Sequence, residues 1–385
     1  MKTWLKRIGI GLAFLTVATS AAAFWKWDEI TRLRAVNTLF APERIVGNFT
    51  SMGDLFHSTP LTNGPGRALP DGASMTLPPG TERWIADRTI TGLVVLRDGA
   101  VVHESYHQGT TPEDQRISWS VGKSVLSLLT GILIDEGALT LTDPVTQHAP
   151  LLIGGAYDGA TLEDVLQMES GVLFDEDYAA FDSDINRMGR VLALGGTLDG
   201  FTADLDDNWA MPGEAMRYVS MDTHVIGMVL RGVTGRSIPD LMAEKLAGPM
   251  GLGPAHYLTD ETGVAFVLGG LNMATRDFAK VGQLVLDGGR VGDRQIVPEA
   301  WIEASTVPSA TTAPDRMRYG YQWWMPVDMR PGEVMAQGVY GQFVYVDRSR
   351  NVVVAMNAAD RGFNSATIRN GNVAMFREIA ASTDP

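Results

Sequence analysis

From Ser118 to Glu136 the apolar residues Val121, Val125, Leu128, Leu129, Ile132 and Leu133 recur at helical spacing, and Gly137 supplies a stop. Leu126 and Ile134 widen the stripe almost all the way round. A helix apolar on every side has to be buried, so the rest of the chain must supply layers that enclose it. The 385 residues, 45% of them hydrophobic, are enough to do so.

Those layers are legible in outline. Leu93–Leu96 and Ala100–His103 flank an Asp98-Gly99 pair and read as a β-hairpin. Thr161-Leu162-Glu163-Asp164 reads as a capping-box start. A helical run from about Asp222 ends at Gly235, and Thr275–Leu286 places Phe278, Val281, Leu284 and Val285 on one face. Strands are expected at Tyr319–Met325, Gln342–Val346 and Asn351–Asn357, and a last helix over about Ala366–Ala380. Strands, a helical block, strands and a terminal helix imply an α/β (α+β) fold. Its antiparallel sheet carries flanking terminal helices, with an all-helical subdomain inserted within about 115–290.

Ahead of this body, 86–385, the Pro/Gly-rich residues 24–85 read as a leader that wraps it. Lys2, Lys6 and Arg7 precede an apolar run from Ile8 to Phe24 that contains Ala21-Ala22-Ala23. This pattern predicts a secretory signal in residues 1–23, cleaved after Ala23; the alternative is an uncleaved inner-membrane anchor through residues 8–24. Either way the body is expected outside the cytoplasm, in the periplasm. A formal charge of −14 argues against nucleic acid and anionic membrane surfaces as partners. The absence of cysteine excludes disulfides, thiolate metal sites and cysteine nucleophiles.

Three groups of residues carry chemistry. Ser120-Val121-Gly122-Lys123 opens the buried helix. Positions i and i+3 share a face, so Lys123 can reach the Ser120 hydroxyl, and burial lowers a lysine pKa until the neutral amine accepts a proton. Against this stands an N-cap serine beside a snorkelling lysine. Tyr218 is the second candidate, a phenol whose pKa a nearby ammonium would depress, making it a general base or proton relay. The third is Gly338-Val339-Tyr340-Gly341-Gln342, where an exposed strand-edge N–H could complete an oxyanion hole.

In chain order and spacing these three groups resemble the serine β-lactamase and penicillin-recognising superfamily, over about residues 85–385. Asp143-Pro144-Val145, Met168-Glu169-Ser170-Gly171 and Gly270-Leu271-Asn272-Met273 support the likeness. Asn48–Met52, Phe174-Asp175-Glu176-Asp177-Tyr178, Ser183-Asp184 and Tyr321-Gln322-Trp323-Trp324 resemble the branch of the 6-aminohexanoate-dimer hydrolases and related carboxylesterases. The resemblance implies a β-lactamase/transpeptidase-like fold. It implies Ser120 as acylated nucleophile, Lys123 and Tyr218 as proton-handling partners, and an oxyanion hole from the N–H groups of Ser120 and Gln342. Tyr178, Asp184, Ser220, Tyr340 and Gly341 would contact substrate, Asp184 as partner for a cationic group.

Two departures matter. Ser220 stands where β-lactamases and peptidoglycan peptidases usually carry asparagine, and Val339-Tyr340-Gly341 replaces a motif that usually contains a cation. The resemblance then implies an exported hydrolase of small-molecule esters or amides working through an acyl-enzyme, without metal or cofactor. The alternatives are a β-lactam or D-amino-acid peptide hydrolase, and a non-catalytic binder of cell-wall fragments. The oligomeric state stays open. His103-Glu104-Ser105-Tyr106-His107 matches a zinc-peptidase pattern, but a strand there would turn Glu104 away from both histidines. Tyr319, Tyr321 and Trp323 alternate as core, whereas Trp324 is out of phase and is expected at the cleft.

Overall fold

A computed structural model describes residues 24–384, together with Trp4, Arg7 and Ile8. The signal or anchor expected in residues 1–23 otherwise lies outside the described residues, among which no helix is long and apolar enough to cross a membrane. In chain order the elements that position the site begin with α1 (Trp27–Thr38), β1 (Ile90–Arg97), β2 (Ala100–Tyr106) and α2 (Val121–Asp135). Then come α3 (Leu162–Leu166), α4 (Asp184–Ala193), α5 (Ser220–Thr234) and α6 (Thr275–Leu286). Strands β3 (Arg318–Tyr319), β4 (Trp324–Met325), β5 (Glu333–Gly338), β6 (Gln342–Asp347) and β7 (Val352–Ala358) precede the terminal helix α7 (Ala366–Ala381).

The strands form one antiparallel sheet in the order β2-β1-β7-β6-β5-β4-β3. Successive strand residues point to opposite faces, so the sheet is apolar on both sides. Val94, Leu96, Val344, Val346, Val353 and Ala355 pack in the core cluster that holds α2 and α6. Leu93, Val95, Phe343, Tyr345, Val354 and Met356 pack with Phe376 and Ile379 of α7. The helix stripe of α6 meets the sheet at Gly282, where a Cβ would lie 2.5 Å from Val353 Cγ1. Enclosed by these layers, α2 is buried from Val121 to Leu133, as its apolar circumference requires.

One expected strand differs in the structure, and one strand of the sheet is additional. Tyr319–Met325 is a tight hairpin in which Trp324 pairs with Tyr319, and Gln322 occupies the left-handed region at φ 67° between them. The buried Gln322 amide is the reason. Its Nε2 donates to the carbonyls of Val165 (3.0 Å) and Leu166 (2.9 Å), and its Oε1 accepts from Thr223 of α5 (2.7 Å). Glu333–Gly338, where the sequence reading places no strand, is a full strand. Its buried Glu333 disguises it, held by Arg377 of α7 at 2.6 Å and by the Tyr345 hydroxyl at 2.7 Å.

The leader contributes to the body's core as well as its surface. Phe40 stacks on Tyr340 at 4.6 Å between centroids, and Phe49 meets Trp119 edge-on at 5.5 Å. Both partners flank the expected nucleophile, one in the preceding position and one in the third motif.

Candidate active site

Trp119 precedes α2 with φ 42°, a left-handed conformation costly for a bulky side chain, and the Phe40 and Phe49 contacts hold it there. That turn brings Ser120 to the helix start. Its side chain makes no capping hydrogen bond, so its hydroxyl is not consumed by the helix terminus. Lys123 does not snorkel. It is 1% exposed, and its ammonium donates to the Leu268 carbonyl at 2.8 Å. Burial lowers its pKa to about 7 against the opposing pull of Glu176, so the amine is neutral in a large fraction of molecules at neutral pH.

Tyr218 arrives from the segment entering α5, and its ring lies 5.5 Å from the Lys123 nitrogen. The depressed phenol pKa expected from the sequence is not what this environment produces. Loss of hydration and the Glu176 charge push Tyr218 up, outweighing the Ser120 and Ser220 hydroxyls that face it. Tyr218 is therefore a neutral phenol, able to donate a proton, and Lys123 is the group poised to accept one. Trp324 stacks on Tyr218 at 5.5 Å, which places it at the cleft as expected.

Glu176 ties the surroundings together, a part it was not assigned from the sequence, where it reads as one charge in an acidic run. It accepts the Ser220 N–H and, at 2.9 Å, the Tyr178 hydroxyl. Its own pKa is raised by burial and held back by Lys123. Beneath it, fully buried Asp222 accepts from Ser170 (2.8 Å) and Tyr157 (2.9 Å), and burial raises its pKa to about 8.

The third motif forms the β5–β6 turn, with Tyr340 (φ 59°) and Gly341 (φ 87°) both left-handed. A Cβ on Gly338 would lie 3.1 Å from the Ser120 nitrogen, so only glycine lets this edge approach so closely. Here the expected oxyanion partner needs correction. Gln342 lies inside β6 with its backbone paired to Gly338, its side-chain Nε2 donates to the Ala358 carbonyl at 2.8 Å, and it lines neither cavity at Ser120. Val339 lines both. Among the described residues neither the Ser120 nor the Val339 N–H donates to a protein acceptor.

Ser120 stands where two cavities meet, and Tyr178 and Val339 belong to both. The first runs between the leader and α4, and Ser220 and Tyr340 also line it. The second holds Tyr218, Trp324, Gly341, Asn364, Arg369 and Asn372. Asp184 lines neither. Its carboxylate accepts the Asp175 N–H at 2.9 Å and pairs with Arg187 at 3.2 Å, because it serves the first turn of α4. Arg369, not singled out in the sequence, supplies a cation to the second cavity from α7. It forms no ion pair among the described residues, and its buried Nε has no hydrogen-bond partner. The H-E-x-x-H pattern runs along β2 to His107 just past its end, where Arg276 claims Glu104 at 2.6 Å and both histidines turn to Ser105 at 3.0 Å.

The arrangement joins an uncapped serine, a neutral buried amine, a phenol and two free N–H groups, the parts needed for acyl transfer. A family model described as Beta-lactamase matches residues 82–374. The 6-aminohexanoate-dimer hydrolase of Paenarthrobacter ureafaciens is 30% identical over 296 residues, covering 73% of this chain and 75% of that one. A Bacillus anthracis structure provisionally described as a 6-aminohexanoate-dimer hydrolase superposes with a TM-score of 0.78 at 21% identity, over 89% of this chain and 95% of that one. A D-stereospecific amidohydrolase from a Streptomyces species gives 0.60 at 18% identity, over 74% and 94%. At these identities the solved structures speak for the fold alone.

Proposed function

The chain belongs to the beta-lactamase family, and we propose that it is a serine hydrolase cleaving ester or amide bonds through an acyl-enzyme on Ser120. The observation that carries this reading is the buried Lys123 amine, held near pKa 7 one helical turn from an uncapped serine. Neutral Lys123 takes the Ser120 proton as the oxygen attacks the carbonyl carbon. The Ser120 and Val339 N–H groups receive the developing oxyanion. As the tetrahedral intermediate collapses, the bond to the leaving group breaks, and the proton returns to that group from Lys123 through the Tyr218 hydroxyl. Water adds to the acyl-enzyme by the same route in reverse, releasing the acid and restoring Ser120.

The apolar run of residues 8–24 behind a basic start supports export, with the body in the periplasm, either freed by cleavage or anchored to the inner membrane. A second reading, hydrolysis of β-lactams or D-amino-acid amides, is favoured by one observation: the unpaired Arg369 in the second cavity could hold a substrate carboxylate. Turnover of p-nitrophenyl esters, 6-aminohexanoate dimer and nitrocefin compares the two directly. Ester or dimer turnover well above nitrocefin is expected, and dominant nitrocefin turnover would overturn the preference.

A further inference from the structure

The two cavities at Ser120 differ in chemistry, and the difference assigns the two halves of the substrate. Tyr218, which must reach the leaving group, lines only the second, polar cavity. The acyl half therefore belongs in the first. That cavity is walled by Val36, Leu39 and Phe40 of the leader, by Met188 and Leu192 of α4, and by Leu268. Among the described residues no aspartate or glutamate lines it, and its ionisable groups are Arg32, His57, Tyr178 and Tyr340. Asp184, the carboxylate that could have met an ammonium there, is turned into the start of α4 and paired with Arg187.

Resting on the hydrolase reading above, we infer that the enzyme acts on esters or amides of uncharged, medium-length aliphatic acids, whose hydrocarbon chain fills the cavity between α1 and α4. Each methylene moved from water into such a wall is worth about fourfold in binding. An ammonium at the end of the same chain would lose its hydration without gaining a counter-charge. The preference is therefore for a plain acyl chain over one that carries an amine.

The test is a series of p-nitrophenyl acetate, butyrate, octanoate and 8-aminooctanoate, each below its aggregation concentration, with the full-length chain. Octanoate is expected to exceed butyrate in kcat/KM by at least about tenfold, and 8-aminooctanoate to fall at least about tenfold below octanoate. Leu192→Trp and Val36→Trp, which fill the cavity from two of its lining helices, are expected to invert the octanoate-to-butyrate ratio. A wild-type preference for butyrate, equal rates for the two eight-carbon esters, or an unchanged ratio in both variants would overturn the chain assignment while leaving the hydrolase reading intact. No turnover of any ester would overturn both.

Discussion

The Lys123 nitrogen lies 5.5 Å from the centre of the Tyr218 ring, and their environments drive the two groups apart, the lysine down and the phenol up. One group is thereby ready to accept a proton and the other to donate one, since near pH 7 a large fraction of Lys123 is the free amine and Tyr218 is a neutral phenol. Since only neutral Lys123 can activate Ser120, kcat/KM for a p-nitrophenyl ester should rise with pH through an inflection near 7. Glu176 favours the ammonium, so Glu176→Gln should move that inflection to lower pH. A limb that stays in place in the variant would show that Glu176 does not set the lysine's charge.

Tyr218→Phe removes the proton donor and keeps the ring that stacks on Trp324. Turnover should fall by about 10²–10⁴ in kcat, the usual contribution of a positioned acid or base, with little change in thermal midpoint. A loss under threefold would place the proton transfer elsewhere.

Asp222 stays protonated in the folded chain up to about pH 8, whereas an unfolded aspartic acid ionises near 3.8. Between those values the folded state holds the extra proton, so this residue makes stability fall as pH rises through the window. Asp222→Asn should flatten the decline, read as thermal midpoints between pH 4 and 8. An unchanged slope would contradict the assignment.

Gly282 lets α6 approach the sheet, where a Cβ would lie 2.5 Å from Val353 Cγ1 and 2.8 Å from Val344 Cγ1. Alanine gains about 1 kcal/mol in helix propensity, but overpacking against two stiff β-branched residues costs about 1–3 kcal/mol. The clash should win, and Gly282→Ala should melt lower than the parent; a higher midpoint would mean that the helix shifts freely.

Features fixed by neighbours along the chain were legible in the sequence. The stripe of α6 ends at Thr275 and Leu286 as read, and Thr161 and Asp164 form the capping box that their spacing announces. The Asp98-Gly99 hairpin belongs to the same class. What escaped is set by contacts distant in sequence. Gln322 takes a left-handed turn only because Val165, Leu166 and Thr223 hold its amide, so Tyr319–Met325 reads as one strand until the fold is known. Asp184 looks like a cleft carboxylate until Arg187 and the Asp175 N–H are seen to occupy it. Glu176 and Arg369 are ordinary surface charges by sequence, and only packing brings them to Ser120, Tyr178 and Ser220.

The central claim is that Ser120 becomes acylated. Incubation with a fluorophosphonate, followed by peptide mass spectrometry, should place one phosphonyl adduct on Ser120, absent in Ser120→Ala and greatly slowed in Lys123→Ala. No adduct on the folded chain, or an adduct on a different serine, would contradict the account.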